Sequence, residues 1–355
     1  MIKSWLKTAF WFLVSFAIPV ILLEIFLGFT QIVATSANTL PVTKSNPIIT
    51  RTPNSSYRWA RGPFGEISHI KTVNNFGFVS HRDFDPYAET ETIALVGGSW
   101  VLANEVTMQE SIGFQLDEAV AGDVYPVSAS QPNLAQNLGF VQFADDVLKT
   151  DKVVVVLAND HLGNALTDRQ PGKRVFDENG DLVIKTDFVP SLGYRLFTQT
   201  NIANYLFKNI QIQRLLSGAP QTDPAAPKAT PSEGQIAEKQ RQTETAIRFF
   251  VQGVLETGYA PEDMLFVFVP DFGAAETGQP RPATSRFREL AVALEAEGLA
   301  TLDIHDDFVA DFKKNQKTFT IPNDPHWNGY GQRLAARLIA AHPVLAPTED
   351  QTVNQ

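Results

Sequence analysis

The run Lys152-Val153-Val154-Val155-Val156-Leu157 limits this chain more than any other feature of its sequence. Its β-branched residues favour an extended strand. Without a polar alternation the strand has no face for water, so both faces must be covered. A parallel sheet with helices above and below provides that cover. Neighbouring segments repeat the pattern. "TIALVGGSW" (92–100) reads as a buried strand running into a tight turn. Residues 108–120 have helical spacing, with Ile112, Leu116 and Val120 on one face. "DVYPVSAS" (123–130) reads as a strand and residues 137–150 as an amphipathic helix. After a break come helix 236–258, strand 264–271, helix 286–298, strand 300–305 and helix 328–342. Strand–helix alternation of this kind predicts a three-layer α/β/α fold with a mostly parallel central sheet.

A different constraint acts at the N-terminus. Ala9 to Val33 is 25 residues with one charge, Glu24. That length crosses a bilayer as a helix. Lys3 and Lys7 precede it and few basic residues follow closely. The positive-inside rule then puts the N-terminus in the cytoplasm, with the rest of the chain in the periplasm or outside. The expectation is one transmembrane helix in the inner (cytoplasmic) membrane, preceding the α/β domain. A cleaved signal peptide is the rival, with "ATSA" at 34–37 as its loose cleavage site. Glu24 at membrane depth is costly, so it implies a helix partner or a place at the outer leaflet. Snorkelling from the outer half of the span is the plainer account.

The expected organisation follows: 1–33 cytoplasmic tip and anchor, 34–60 tether, 61–345 the catalytic-looking domain, and 346–355 a tail. The alternation fails at 161–233, an excursion that includes the Pro/Ala/Thr-rich stretch 217–234. With 39 acidic and 29 basic residues the formal net charge is −10, which disfavours nucleic acid as a partner. The absence of cysteine excludes disulfides, thiolate metal sites and a cysteine nucleophile. "GGSW" lacks the lysine of a phosphate loop.

Ligands of open α/β sheets bind beyond the carboxyl ends of the strands. Polar groups collect there: Gly97-Gly98-Ser99, Ser130 in "SASQPN", Asn159-Asp160, and "NDPHWNGYG" before the last helix, with Asp324 and His326. A serine hydroxyl is a weak nucleophile until a base takes its proton, and that base works best when an acid fixes its tautomer. Asp-x-His can supply both, and an asparagine amide can meet the developing oxyanion. Each motif alone has a plainer reading. Gly-Gly-Ser makes turns, Asn-Asp caps helices, and Asp, Pro and Asn favour helix starts. His305, set among acids, reads as structural, and no metal or organic cofactor is expected. His161 either lines the pocket or lies at the surface. Trp100 and Trp327 read as core packing or as an apolar, sugar-stacking wall.

Taken in order, "LVGGSWVLANEV", "VVVVLANDHLGN" and "NDPHWNGYGQRLA" resemble the first, third and last blocks of the SGNH (GDSL-type) hydrolase superfamily, across about residues 90–340. The upstream "TVNNFGFVSHRDF" is similar to a segment of its membrane-anchored bacterial members. The resemblance implies a flavodoxin-like SGNH fold, with Ser99 as nucleophile, His326 as base and Asp324 as its orienter. It also implies Asn159, the Ser99 backbone N–H and the second-block position Ser130 as oxyanion donors. Two departures stand out: Gly98 replaces the Asp of Gly-Asp-Ser, and Ser130 replaces the second-block glycine. The expected activity is hydrolysis of a small ester, with O-acetyl groups on an envelope carbohydrate as implied substrate. The alternatives are O-acyl transfer to a polysaccharide and a non-catalytic binding or assembly protein on the same fold.

Overall fold

The computed structural model describes residues 2–35, 37–216, 232–283, 285–322 and 324–346. All but the last three residues of the proline-rich stretch 217–234 lie outside the described residues, as does the tail from 347 on. The chain forms two units. One joins Met1–Asn38, Ser56–Ile70 and Pro190–Pro224; the other joins Thr39–Ser55, Lys71–Val189 and Ala225–Gln355.

The smaller unit begins with helix α1, Ile2–Phe29. Its stretch Trp5–Phe29 is long and apolar enough to cross a membrane. Glu24 has a helix partner within this unit. Its carboxylate accepts the backbone N–H groups of Asn201 (2.6 Å) and Ile202 (2.9 Å), the first residues of the short helix Asn201–Asn204. A carboxylate suits that position because opening N–H groups lack intrahelical acceptors and carry the positive end of the dipole. Buried Asn209 ties three segments together. Its amide donates to the carbonyls of Ile32 and Gly62, and its Oδ1 accepts the Ala34 N–H.

Residues 34–60 are not the bare tether expected. The polar stretch carries apolar side chains that find cover: Ala34, Tyr57 and Ala60 in the smaller unit, Val42 and Ile48 in the larger. The 161–233 excursion is likewise divided. Residues up to Val189 belong to the larger unit, where Arg174–Phe176 pairs antiparallel with Leu182–Ile184.

The larger unit is built on five strands: β1 Thr92–Gly97, β2 Asp123–Ser128, β3 Lys152–Leu157, β4 Met264–Phe268 and β5 Ala300–Asp303. All four pairings are parallel, in the order β2-β1-β3-β4-β5. This is the flavodoxin-like order, with its switch point between β1 and β3. Alternate residues serve two cores. Val153, Val155 and Phe266 pack with helices Leu134–Phe143, Glu233–Leu255 and Phe287–Glu295. Val154, Val156 and Leu265 pack with Ile112–Asp117, His305–Asn315 and Gly329–Ala340. The valine run is buried on both faces because helices cover both, and the three layers are present.

Candidate active site

Ser99 opens the four-residue helix Ser99–Leu102, directly beyond β1. The two glycines before it serve close approach. A Cβ at Gly97 would lie 2.6 Å from Val101 Cγ2 and 3.0 Å from the Val156 carbonyl oxygen. A Cβ at Gly98 would lie 2.6 Å from His161 Nε2 and 2.9 Å from Pro132 Cδ. The Gly-Asp-Ser departure therefore has a physical reason: the His161 ring occupies the space that a side chain at 98 would need.

Asp324 and His326 lie on the short strand Asp324–Trp327, which pairs antiparallel with Thr320–Ile321 and leads to the last helix. Asp324 Oδ1 accepts both the His326 backbone N–H (2.9 Å) and the His326 ring nitrogen Nδ1 (2.5 Å). The two-residue spacing lets one carboxylate oxygen fix backbone and ring together, in the manner of an Asx turn. With its proton on Nδ1, the imidazole presents Nε2 as its basic nitrogen. Nε2 lies 2.8 Å from Ser99 Oγ, across 227 residues of sequence. Trp100 lies beside the His326 ring, with centroids 5.1 Å apart. Buried Gln332 on the last helix donates to the Trp100 carbonyl (3.2 Å) and accepts the Ile112 N–H (2.7 Å), which ties that helix to the serine turn.

A second carboxylate faces the His326 ring, and sequence reasoning missed it. Glu105 Oε1 lies 3.6 Å from His326 Nδ1, with the side chain 7% exposed. Near it, Lys71 is fully buried and donates to the carbonyls of Ala103 (2.5 Å) and Val106 (2.6 Å). Burial pulls its ammonium down to about 8, while Glu105 and Glu110 hold it up. Ala103 closes the serine helix in the left-handed region at φ 47°, and Lys71 pins its carbonyl. Nothing in "IKTV" marks Lys71; the only signal for Glu105 was an acid within the serine block. Glu105, Asp324 and His326 also hold donor atoms within 4.8 Å of one another, a spacing open to a metal ion. The Asp324–His326 hydrogen bond occupies the Nδ1 direction that a cation would need.

Asn159 follows β3 and is exposed at the start of the 3-10 turn Asn159–Leu162. It lines a cleft of about 320 Å³ together with Trp100, Phe272, Arg281, Ser285 and Pro325. Trp100 and Phe272 stack there at 5.0 Å. Ser130 sits exposed on a bend two residues beyond β2, and its carbonyl accepts from Lys173 (3.3 Å). It does not line that cleft. His161 is buried rather than at the surface. Its Nδ1 accepts the Ala158 N–H (3.2 Å) and lies 3.3 Å from the Asn137 amide. Burial pushes its ring down to about 4, outweighing the upward pull of Asp160, so it is neutral near pH 7. His305 is buried against the Gln279 carbonyl (3.1 Å), and Trp327 is wholly in the core.

No known family model matches the chain, and no curated protein sequence matches it. Among solved structures it is similar to a two-domain esterase active on acetylated mannans, at 11% identity and TM-score 0.36, covering 70% of this chain and 48% of that one. The chain thus spans about half of that esterase. It is also similar to a lipase/acylhydrolase from Enterococcus faecalis, at 14% identity and TM-score 0.36, covering 73% of this chain and 99% of that one. A third similarity is to a putative lipolytic protein of the G-D-S-L family from Desulfitobacterium hafniense. There the identity is 9% and the TM-score 0.34, covering 70% of this chain and 98% of that one. Likenesses this distant carry no functional weight; the chemistry rests on the geometry around Ser99.

Proposed function

We propose that the chain is a membrane-anchored serine esterase that hydrolyses a small carboxylic ester. The observation that carries this reading is the 2.8 Å contact of Ser99 Oγ with His326 Nε2, with Asp324 held on Nδ1 at 2.5 Å. Nε2 takes the hydroxyl proton as Oγ bonds to the ester carbonyl carbon, and the carbonyl electron pair moves onto oxygen. The Asn159 amide and the backbone N–H groups of Ser99 and Ser130 are the assigned donors to that oxyanion. Its collapse expels the alkoxide, which leaves with the proton from His326. Water, deprotonated by the same nitrogen, then attacks the acyl-serine ester. The acid departs and the proton returns to Ser99. These steps call on no metal or organic cofactor.

An O-acetyl group on an envelope carbohydrate is the proposed substrate. The cleft lined by Trp100 and Pro325, the sequence neighbours of Ser99 and His326, is small and combines a Trp100–Phe272 wall with Asn159, Arg281 and Ser285, which suits a sugar's apolar face and its hydroxyls. Lys3 and Lys7 before the apolar helix support a cytoplasmic N-terminus and a periplasmic or external catalytic unit. Turnover of p-nitrophenyl acetate tests the chemistry. Ser99→Ala and His326→Ala should each lower kcat by about 10⁴-fold or more. Variants that turn over at the wild-type rate would end the proposal. A glycan acceptor added at fixed ester concentration should leave acetate as the product; an acetylated glycan would make the chain a transferase.

A further inference from the structure

We propose that residues 190–216 form a second membrane-binding element, an in-plane amphipathic collar in the headgroup region of the leaflet through which α1 leaves the bilayer. The inference rests on the anchor reading of α1 given above.

Three observations converge. The first is depth. The 25 residues Trp5–Phe29 extend about 37 Å as a helix, against about 30 Å of hydrocarbon. Glu24 lies five residues before the end of that stretch, or about 7.5 Å along the axis, which sets it about 4 Å inside the hydrocarbon boundary. Because Glu24 caps Asn201 and Ile202, it holds this segment at the same depth. The Asn201 amide also donates to the Glu24 carbonyl (3.2 Å), which fixes the approach. A carboxylate there is satisfied by two N–H donors, so it need not draw water into the bilayer.

The second observation is shape. The preceding helix Leu192–Gln199 buries none of its residues in the protein. At 100° per residue Leu192, Leu196 and Phe197 fall within an arc of about 140°, while Arg195 and Thr198 fall on the far side and Gln199 borders the arc beside Leu192. Leu192 is 72% and Leu196 57% exposed. An apolar arc left open to water, on a helix capped by its own Ser191, fits the interfacial class of helix that sinks about 5–10 Å into the headgroup boundary.

The third is charge. Residues 190–216 include three basic residues, Arg195, Lys208 and Arg214, and no acidic one, in a chain of net charge −10; the Lys208 ammonium also donates to the Thr35 carbonyl (3.2 Å). A basic, aromatic-rich segment beside a membrane span suits anionic lipid headgroups. A second copy of the chain would bring the same positive segment against itself.

The chain has no cysteine, so single cysteines label cleanly. Full-length Leu196→Cys and Phe197→Cys variants carry an environment-sensitive nitrobenzoxadiazole dye in phosphatidylcholine–phosphatidylglycerol vesicles. Leu13→Cys, inside α1, and Val292→Cys, exposed on the larger unit, serve as controls. The expected result is blue-shifted emission at 196 and 197, quenched more by lipids with a nitroxide near the carbonyls than near the terminal methyl. Leu13→Cys should show the reverse depth order, and Val292→Cys no quenching. Unquenched dye at 196 and 197 beside a deeply quenched Leu13→Cys would overturn the collar and leave the anchor standing. An unquenched Leu13→Cys would overturn both. A blue shift without lipid quenching, lost when protein is diluted in the vesicles, would replace lipid by a second copy and overturn the collar.

Discussion

A side chain at Gly98 would meet two stiff neighbours, the buried His161 ring and the Pro132 ring. Gly98→Ala should therefore cost about 1–3 kcal/mol by overpacking, read as a lowered melting temperature; an unchanged melt would show that the ring moves aside. His161 itself makes stability depend on pH. Its ring is held near 4 in the folded chain against an ordinary 6.5. Between those values the unfolded chain binds a proton that the folded chain refuses. Stability present above pH 6.5 is thus lost as pH falls towards 4, by about 3 kcal/mol in all. Thermal melts from pH 7 to 4 should show this slope, and His161→Gln should flatten it. Glu105 supplies a second negative charge 3.6 Å from His326 Nδ1, where the imidazolium forms. Glu105→Gln should lower kcat/KM about tenfold; an unchanged kcat/KM would leave Asp324 as the sole partner of the His326 ring. The meeting of Ser99, Asp324 and His326 was legible because polar residues at strand ends stand out from apolar strands. Glu105 and Lys71 were not, since only the fold sets their distances.

Glu24 does at the scale of elements what an Ncap residue does within one helix, although it comes from another helix 177 residues away in sequence. Glu24→Ala should remove about 0.5–2 kcal/mol of local stability. Hydrogen exchange should quicken at the amides of residues 201 and 202, and exchange as slow as in the wild type would contradict the capping role. Strands β1, β3 and β4 were legible because each is buried and mostly apolar on both faces; the half-exposed edge strand β5, with Thr301 and Asp303, was legible only from the strand–helix alternation. Helix His305–Asn315 was missed, since "DIHDDF" begins with polar residues. Its signals were those of the dipole: Asp306 and Asp307 in the first turn, Lys313 and Lys314 in the last. The segment 34–60 was misread by composition, because Val42, Ile48 and Tyr57 bury despite polar neighbours.

For the whole molecule, the central claim is that an α/β unit brings Ser99, His326 and Asp324 into a working nucleophile on a chain that also carries a membrane-length helix. The contacts of Ser99, His326 and Asp324 link the end of β1 to the short strand Asp324–Trp327, so catalysis and the folding of the larger unit should be lost together on heating. The most direct measurement is labelling of the folded full-length chain by a fluorophosphonate, with the modified residue located by mass spectrometry, beside Ser99→Ala and His326→Ala. The account predicts a phosphonyl adduct on Ser99 in the wild type and none in either variant. A folded wild type that stays unlabelled, or a label on another residue, would contradict it.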